Sequence, residues 1–425
     1  MLRIAVIALL AACATQPALA QTGTDAMVDA VEAKVIGWRR HIHQNAELSY
    51  QEVKTAAYVA EALRAMPGIE VQTGIAKTGI KAVLKGGKPG PVVALRADMD
   101  ALPVEERNDL PFRSQAKAMW QGKETGVMHA CGHDAHVAML LGAAEILSKM
   151  RAEIPGTVVF FFQPAEEGGG GAFAMVKEGA MDNPKVDAVF GQHIGSRAPG
   201  SLIAYRRGGM MASSDSFHIA VKGVGGHGGM PWSAKDPIVT AAQIVVGLQS
   251  IVSRQADLSQ GAAVVTVGQI AGGNRTNIIP EEATLAGTIR TLNEPTRVQV
   301  HEAIERMAKK TAEAAGLTAE VKIERGYPVL SNDPALTSRM LGALGRATGS
   351  DKLVVEIPPV LGAEDFGAYS QRAPTFFWFL NAPPQDNKDG APNHSPLFMI
   401  GEKHMKTGVK ALVNVALEYL RAAQK

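Results

Sequence analysis

The chain has 425 residues, 46% of them hydrophobic, which is more than one core usually organises and predicts two domains. Its 43 Lys+Arg nearly cancel its 41 Asp+Glu, and no basic run occurs that could neutralise a row of phosphates. Nucleic acid is therefore excluded as an expected partner.

Residues 1–20 read as a secretory signal. Met1 to Arg3 form a short positive start, Ile4 to Ala14 an apolar stretch too short to span a bilayer, and Pro17-Ala18-Leu19-Ala20 an Ala-x-Ala cleavage site before Gln21. The expected mature chain begins near Gln21 and is exported, with the periplasm as its expected compartment. A rival reading takes Leu10-Ala11-Ala12-Cys13 as a lipoprotein-type site that anchors the protein through Cys13. Only two cysteines exist, so once Cys13 leaves with the signal, Cys131 has no disulfide partner. It is then a buried small hydrophobe, a ligand or a nucleophile, and its neighbours decide.

Residues 21–208 and 327–425 read as one discontinuous α/β domain. Apolar periodicity predicts helices over 25–40 and 52–66. A β-branched run ending at Val92-Val93-Ala94-Leu95 leads into Arg96-Ala97-Asp98-Met99-Asp100. A second, 157–162, leads into Gln163-Pro164-Ala165-Glu166-Glu167 and four glycines, and a third, 186–190, into Gly191-Gln192-His193. Near-continuous apolar strands separated by helices predict a buried, mostly parallel sheet, and ligands of such sheets sit beyond the carboxyl ends of the strands. Over 209–326 the rhythm changes to a strand at 216–222, a helix from Asp236-Pro237 to 254, strands at 262–270 and 283–290, a helix at 294–315 and a strand at 319–324. This β-α-β-β-α-β order predicts an inserted ferredoxin-like α+β domain, serving as lid or dimerisation domain. The α/β pattern resumes after Leu330, with a strand at 375–380 and a last helix at 402–423.

Chemistry concentrates in four places. His129-Ala130-Cys131-Gly132-His133-Asp134-Ala135-His136 precedes an apolar helix, and thiolate and imidazole are ligands for zinc and related divalent ions. Glu166-Glu167 follows a strongly apolar strand, and adjacent carboxylates repel each other unless cations or solvent relieve them. His193 ends the next strand, and Asn393-His394-Ser395-Pro396 forms a loop that could return to the same edge. Gly168 to Gly171 lacks the Lys-Ser/Thr of a phosphate loop and is read as a turn that lets the backbone approach metals.

These stretches resemble the aminoacylase and carboxypeptidase family of dinuclear metallohydrolases, specifically its amidohydrolase branch. That branch includes hippurate hydrolases, N-acyl-amino-acid amidohydrolases and plant indole-acetyl-amino-acid hydrolases. The resemblance is carried by RADMDALP (Arg96 to Pro103), MHACGHDAH (Met128 to His136), FQPAEEG (Phe162 to Gly168), GQHI (Gly191 to Ile194), GHGGMP (Gly226 to Pro231), NIIP (Asn277 to Pro280), GTIR (Gly287 to Arg290), EDF (Glu364 to Phe366) and HSPLF (His394 to Phe398). They span nearly the whole mature chain in order.

The resemblance implies a metal-dependent hydrolase of linear amides with two divalent metal ions per subunit. Cys131 matches the ligand shared by both ions, His133 and His193 match ligands of one, and Glu167 and His394 match ligands of the other. Glu166 matches the general base, and Asp100 a carboxylate behind the ligands that orients a histidine. His227 matches a catalytic histidine that the family supplies from the other subunit of a dimer, so a homodimer or higher homo-oligomer through the inserted domain is implied. Asn277 and Arg290 match the residues that grip the substrate carboxylate. His129 and His136 are read as structural. Gly228-Gly229-Met230 after His227 departs from the Gly-Ala that many members carry, which bears on acyl preference.

The implied substrate is a small N-acyl amino acid, such as an N-acetyl or N-benzoyl conjugate. Two other readings stay open: a metallo-carboxypeptidase or dipeptidase on short peptides, and an exported peptide-binding protein without activity, whose mark would be a missing ligand or base. Mixed sulfur, nitrogen and oxygen ligation permits zinc, manganese, cobalt or nickel.

Overall fold

The computed structural model describes residues 16–197, 202–385 and 388–422, with side chains from residue 24 onward. Most of the expected signal, including Cys13, lies outside the described residues. The described residues divide into two compact units, those within 1–204, 338–355 and 377–425 forming one and those within 205–337 and 356–376 the other.

The first unit is an α/β domain built on an eight-stranded sheet. Its strands run in the spatial order Ile69–Ile75, Gly79–Lys85, Pro155–Gln163, Lys88–Asp98, Ala188–Gly195, Thr375–Asn381, Ile203–Tyr205 and Val354–Glu356. Lys88–Asp98 is parallel to both Pro155–Gln163 and Ala188–Gly195, so three carboxyl ends lie side by side at the sheet's centre. Antiparallel pairs flank this centre, Gly79–Lys85 against Pro155–Gln163 on one side and Ile203–Tyr205 against Thr375–Asn381 on the other. The central strands are buried on both faces, which is why they read as unbroken apolar runs. The helix His133–Lys149 is buried from His133 to Ser148 and packs on the helices Gln16–Gln44 and Met405–Ala422. It has no polar face because it has no solvent side.

One sheet element had no sequence expectation. Ile69–Ile75 and Gly79–Lys85 form an antiparallel hairpin whose turn residues Ala76 and Lys77 take φ of +49° and +71°. Hairpin turns with positive φ are normally marked by Asn-Gly or Asp-Gly, and here neither is present.

The second unit is a ferredoxin-like sandwich. Its four strands lie in the order Ala263–Gly272, Glu282–Thr291, Asp215–Lys222, Thr318–Glu324, all antiparallel. Phe217, Ile219 and Val221 alternate inward along the Asp215–Lys222 strand and meet Ile244 and Leu248 of the helix Pro237–Ser250 and Val300 and Ile304 of Glu294–Ala314. Both helices start on side-chain caps: Asp236 accepts from the Ile238 and Val239 amides, and Asn293 from the Thr296 amide. Residues 205–208, 327–337 and 356–376, expected with the α/β domain, group with this unit instead. The reason is backbone pairing within it: Val360 N–H donates to Met210 and Ala212 N–H to Gly362, while the Thr375 hydroxyl donates to Ser331.

Asp215 anchors the start of this sandwich. It accepts from Arg297 Nη2 at 2.6 Å and Nε at 2.8 Å, from the Gly326 amide at 3.0 Å, and lies 2.8 Å from His301 Nε2. Burial raises its pKa, but the Arg297 and His301 hydrogen bonds outweigh that and hold it at about 2, below the ordinary 3.8. A depressed carboxyl stabilises the fold at pH above its unfolded value, and that contribution disappears as pH falls through the folded value. It is on the order of 2 kcal/mol. Asp215→Asn is expected to lower urea stability at neutral pH and to flatten its decline between pH 4 and pH 2; unchanged stability and acid dependence would remove this role.

Candidate active site

The three parallel strands deliver the chemistry to one edge. Beyond Lys88–Asp98 comes Asp100, beyond Pro155–Gln163 come Glu166 and Glu167, and His193 lies near the end of Ala188–Gly195. The 186–190 expectation stopped short of His193; the strand in fact includes it. Cys131 and His133 arrive on the turn that opens the buried helix. Gly132 at that turn has φ +84°, and a Cβ there would stand 2.5 Å from Ile194 Cγ2, so both conformation and contact require glycine. His394 arrives on the loop before the last helix, held by its amide donating to Ala130 O at 2.8 Å.

The side chains assemble into two donor groups that share one sulfur. Cys131, His133 and His193 offer ligand atoms within 4.8 Å of one another, and so do Cys131, Glu167 and His394. Cys131 Sγ lies 3.4 Å from His193 Nε2, and His394 Nε2 lies 3.2 Å from Glu167 Oε1. A third group, His133, Glu166 and Glu167, meets the same distance limit. Two residues near this edge have left-handed backbones without being glycine, Ala165 at φ +53° and His394 at φ +70°. Such conformations persist where surrounding contacts over-determine them, commonly at functional sites.

Each histidine of the pair, His133 buried and His193 half-buried, is oriented by its other nitrogen. His133 Nδ1 contacts the Asp100 carbonyl at 2.8 Å and His193 Nδ1 the Ile194 carbonyl at 2.9 Å, which makes Nδ1 the donor and leaves an Nε2 lone pair toward the cluster. His133 Nε2 is buried without a hydrogen-bond partner among the described residues. Electrostatically the cluster is unbalanced. Burial, and then Glu167, push the Cys131 thiol up; burial and His136 push His193 well down. Hydrogen bonds to Cys131 and Glu167 lift His394 to about 10. A thiol that burial keeps protonated beside an orphaned imidazole nitrogen is relieved by cations, which turn thiol into thiolate and use the lone pair. The donor set, one shared sulfur with two nitrogens on one side and a nitrogen and a carboxylate on the other, fits two divalent ions.

Asp100 acts mainly on the carboxylate loop. Its Oδ1 accepts the Glu166 amide at 2.9 Å and its Oδ2 the Glu167 amide at 3.0 Å, while Oδ1 stands 3.3 Å from His133 Nδ1. One carboxylate thus registers the Glu166-Glu167 pair against the His133 ring. His136 has both nitrogens committed, Nδ1 to Asp98 at 2.5 Å and Nε2 accepting the Ile194 amide at 2.7 Å. His129 is buried beside the cluster, and neither ring nitrogen has a hydrogen-bond partner among the described residues.

Sequence reasoning gave no role to Asp98 or Asn393. Asp98 is buried, paired with Arg96 Nη1 at 2.8 Å and 3.6 Å from His133 Nε2. Asn393 Nδ2 donates to the carbonyls of Cys131 at 3.2 Å and Ile194 at 3.3 Å and lies 3.7 Å from Cys131 Sγ, tying the His394 loop to the metal-ligand turn. The RADMD and NHSP stretches carry both residues, but their contacts cross 38 and 262 positions.

The remaining expected residues lie in the second unit. His227 is exposed on a short strand paired with Ile278, and Asn277 O accepts the Gly228 amide at 2.9 Å, so His227 and Asn277 are neighbours. His227 Nδ1 accepts the Gly229 amide at 3.0 Å, which leaves Nε2–H as the donor of the neutral ring. Arg290 lies half-buried on Glu282–Thr291, and among the described residues its guanidinium makes only long contacts, from Nη1 to the Ser213 and Ile289 carbonyls at 3.5 and 3.4 Å.

Comparison with known proteins is consistent across sequence and structure. Residues 94–418 match the model of peptidase family M20/M25/M40. Thermostable carboxypeptidase 2 of Saccharolobus solfataricus is 43% identical over 92% of this chain and 97% of its own length. N-acetyl-L-cysteine deacetylase of Bacillus subtilis is 38% identical over 88% of this chain and 85% of its own. Among solved structures, the Bacillus subtilis YXEP protein, described as a dinuclear metal-binding peptidase of the M20 family, superposes with a TM-score of 0.79 at 34% identity, covering 92% of this chain and 99% of that one.

Proposed function

This chain belongs to peptidase family M20/M25/M40 and is a hydrolase of amide bonds, and we propose that it cleaves N-acyl amino acids with two divalent metal ions held by Cys131, His133, Glu167, His193 and His394. The observation that carries the reading is the single sulfur of Cys131 common to two donor groups, with Glu166 registered beside them by Asp100. Bound there, the ions would supply Lewis acidity to a carbonyl oxygen and acidity to a water molecule. Glu166 takes the proton of the attacking water and returns it to the departing nitrogen. His227, supplied by the second copy of a homodimer, offers Nε2–H to the oxygen on which negative charge develops. Asn277 and Arg290 hold the substrate carboxylate, Arg290 as a two-pronged donor whose weak protein contacts leave its guanidinium available for that exchange. Zinc, manganese, cobalt and nickel all suit the donor set.

The reading is tested with matched substrates. N-benzoyl and N-acetyl amino acids are expected to be cleaved faster than dipeptides with a free amino terminus; the reverse order favours the carboxypeptidase or dipeptidase reading, to which the Saccharolobus relative lends weight. Arg290→Ala is expected to reduce kcat/KM by about 10- to 100-fold on substrates with a free carboxylate and to leave the corresponding amides nearly unchanged. An equal loss on both classes would remove Arg290 from carboxylate binding.

A homodimer belongs to the same proposal. In the second unit Val246 on the helix Pro237–Ser250 and Ile270 on the edge strand Ala263–Gly272 are exposed at 73% and 55% and line one apolar surface at a sheet edge that pairs with no other strand among the described residues. That combination favours strand-edge association with a second copy, and twice the chain mass is expected in light scattering. Export is likewise proposed from the N-terminal sequence. N-terminal sequencing of protein from cells is expected to begin at Gln21, whereas a lipid on Cys13 would favour the anchored form.

A further inference from the structure

The segment joining the first two helices grips the loop that carries Glu166. Ser49 Oγ donates to Asp100 Oδ2 at 2.6 Å, and Tyr50 Oη donates to Gly169 O at 3.0 Å. Glu52, fully buried just before the helix Val53–Arg64, does more: its Oε1 accepts the Ala165 amide at 2.9 Å and its Oε2 accepts the Thr78 hydroxyl at 2.6 Å. Three consecutive amides, those of Ala165, Glu166 and Glu167, therefore end on buried carboxyl groups, the first on Glu52 and the next two on Asp100. Ala165 is the left-handed non-glycine residue of this turn, a conformation that costs an alanine about 1 kcal/mol or more. Its amide is the one Glu52 holds.

We propose that Glu52 is a positioning residue for the reaction: anchored on Thr78, it fixes the left-handed Ala165 through the Ala165 amide and thereby sets the direction in which Glu166 leaves the loop. The proposal rests on Glu166 being the base. Burial, with Asp100 adding to it, pushes the Glu52 carboxyl up to about 7, and both of its contacts to the loop and the anchor are hydrogen bonds that its oxygens accept. A glutamine can reproduce both bonds, its oxygen accepting from Ala165 and its amide donating to the Thr78 oxygen. An alanine reproduces neither.

The test uses the full chain loaded with metal and an N-acyl amino acid as substrate. Glu52→Ala is expected to lower kcat by about 10- to 100-fold with KM within about threefold of the wild type, and with two ions still bound. Glu52→Gln is expected to recover kcat to within about threefold, and Thr78→Val, which frees only the anchor, to fall between them. Should Glu52→Ala not fold, Thr78→Val and Glu52→Gln still decide: a lowered kcat in the first beside a retained one in the second is the expected pair. Wild-type kcat in Thr78→Val and Glu52→Ala, an equal loss in Glu52→Gln and Glu52→Ala, or a kcat loss matched by loss of metal overturns the proposal. Glu166→Gln measured alongside keeps the two readings apart. Retained turnover there removes the base assignment itself, whereas an inactive Glu166→Gln beside silent Glu52 and Thr78 variants removes only Glu52.

Discussion

Glu166→Gln is expected to keep two divalent ions per chain and to lose about 10³-fold in kcat, with KM little changed. The expectation follows from how the residue is held. Its backbone amide is fixed on Asp100 Oδ1, so the substitution preserves the loop and changes only the ability of the side chain to accept and return a proton. Glu166 stands outside the two donor groups that contain Cys131, yet it lies within ligand reach of His133 and Glu167. Metal analysis of the variant separates those roles. Two ions with no turnover fit a base, loss of one ion makes Glu166 a ligand, and retained turnover removes it from the chemistry.

The second large effect is expected at Cys131. Cys131→Ser nearly conserves volume, so it removes the soft, ionisable sulfur without opening a cavity in a buried position. Because that sulfur belongs to both donor groups, its loss leaves two two-ligand remnants, His133 with His193 and Glu167 with His394. Binding of both ions is expected to weaken together, by at least about 10- to 100-fold in affinity, the range seen even for lost outer-shell partners. Activity should fall to background at metal concentrations that saturate the wild type. Titration of the variant with one ion lost and the other retained at wild-type affinity would show that the sulfur serves a single ion.

Much of the fold was legible because strand and helix periods are local. The helix expected at 294–315 is Glu294–Ala314, and the strand expected at 319–324 is Thr318–Glu324. The exits of the central strands were legible for the same reason, since an unbroken apolar run such as Val158 to Phe162 followed by Glu166-Glu167 places carboxylates beyond a buried strand. The hairpin at Ala76-Lys77 was not, because its positive-φ turn uses residues without that preference. Nor were the contacts of Glu52, Asp98 and Asn393. Glu52 meets Ala165 across 113 positions, and nothing in the local pattern of Gln51-Glu52-Val53 distinguishes a loop anchor from an ordinary residue before a helix. The sharing of Cys131 between two donor groups was implied by resemblance, not by spacing; the geometry of His133, His193, Glu167 and His394 around it supplies a physical basis.

The central claim, that amide hydrolysis depends on two ions at this cluster, is tested most directly by titrating metal into stripped protein. The measured quantity is the rate at which free amino acid is released from an N-acyl amino acid. The expected result is no turnover without metal and a rate that reaches its plateau at two equivalents per chain. Turnover that survives metal removal, or that is complete at one equivalent, would contradict it.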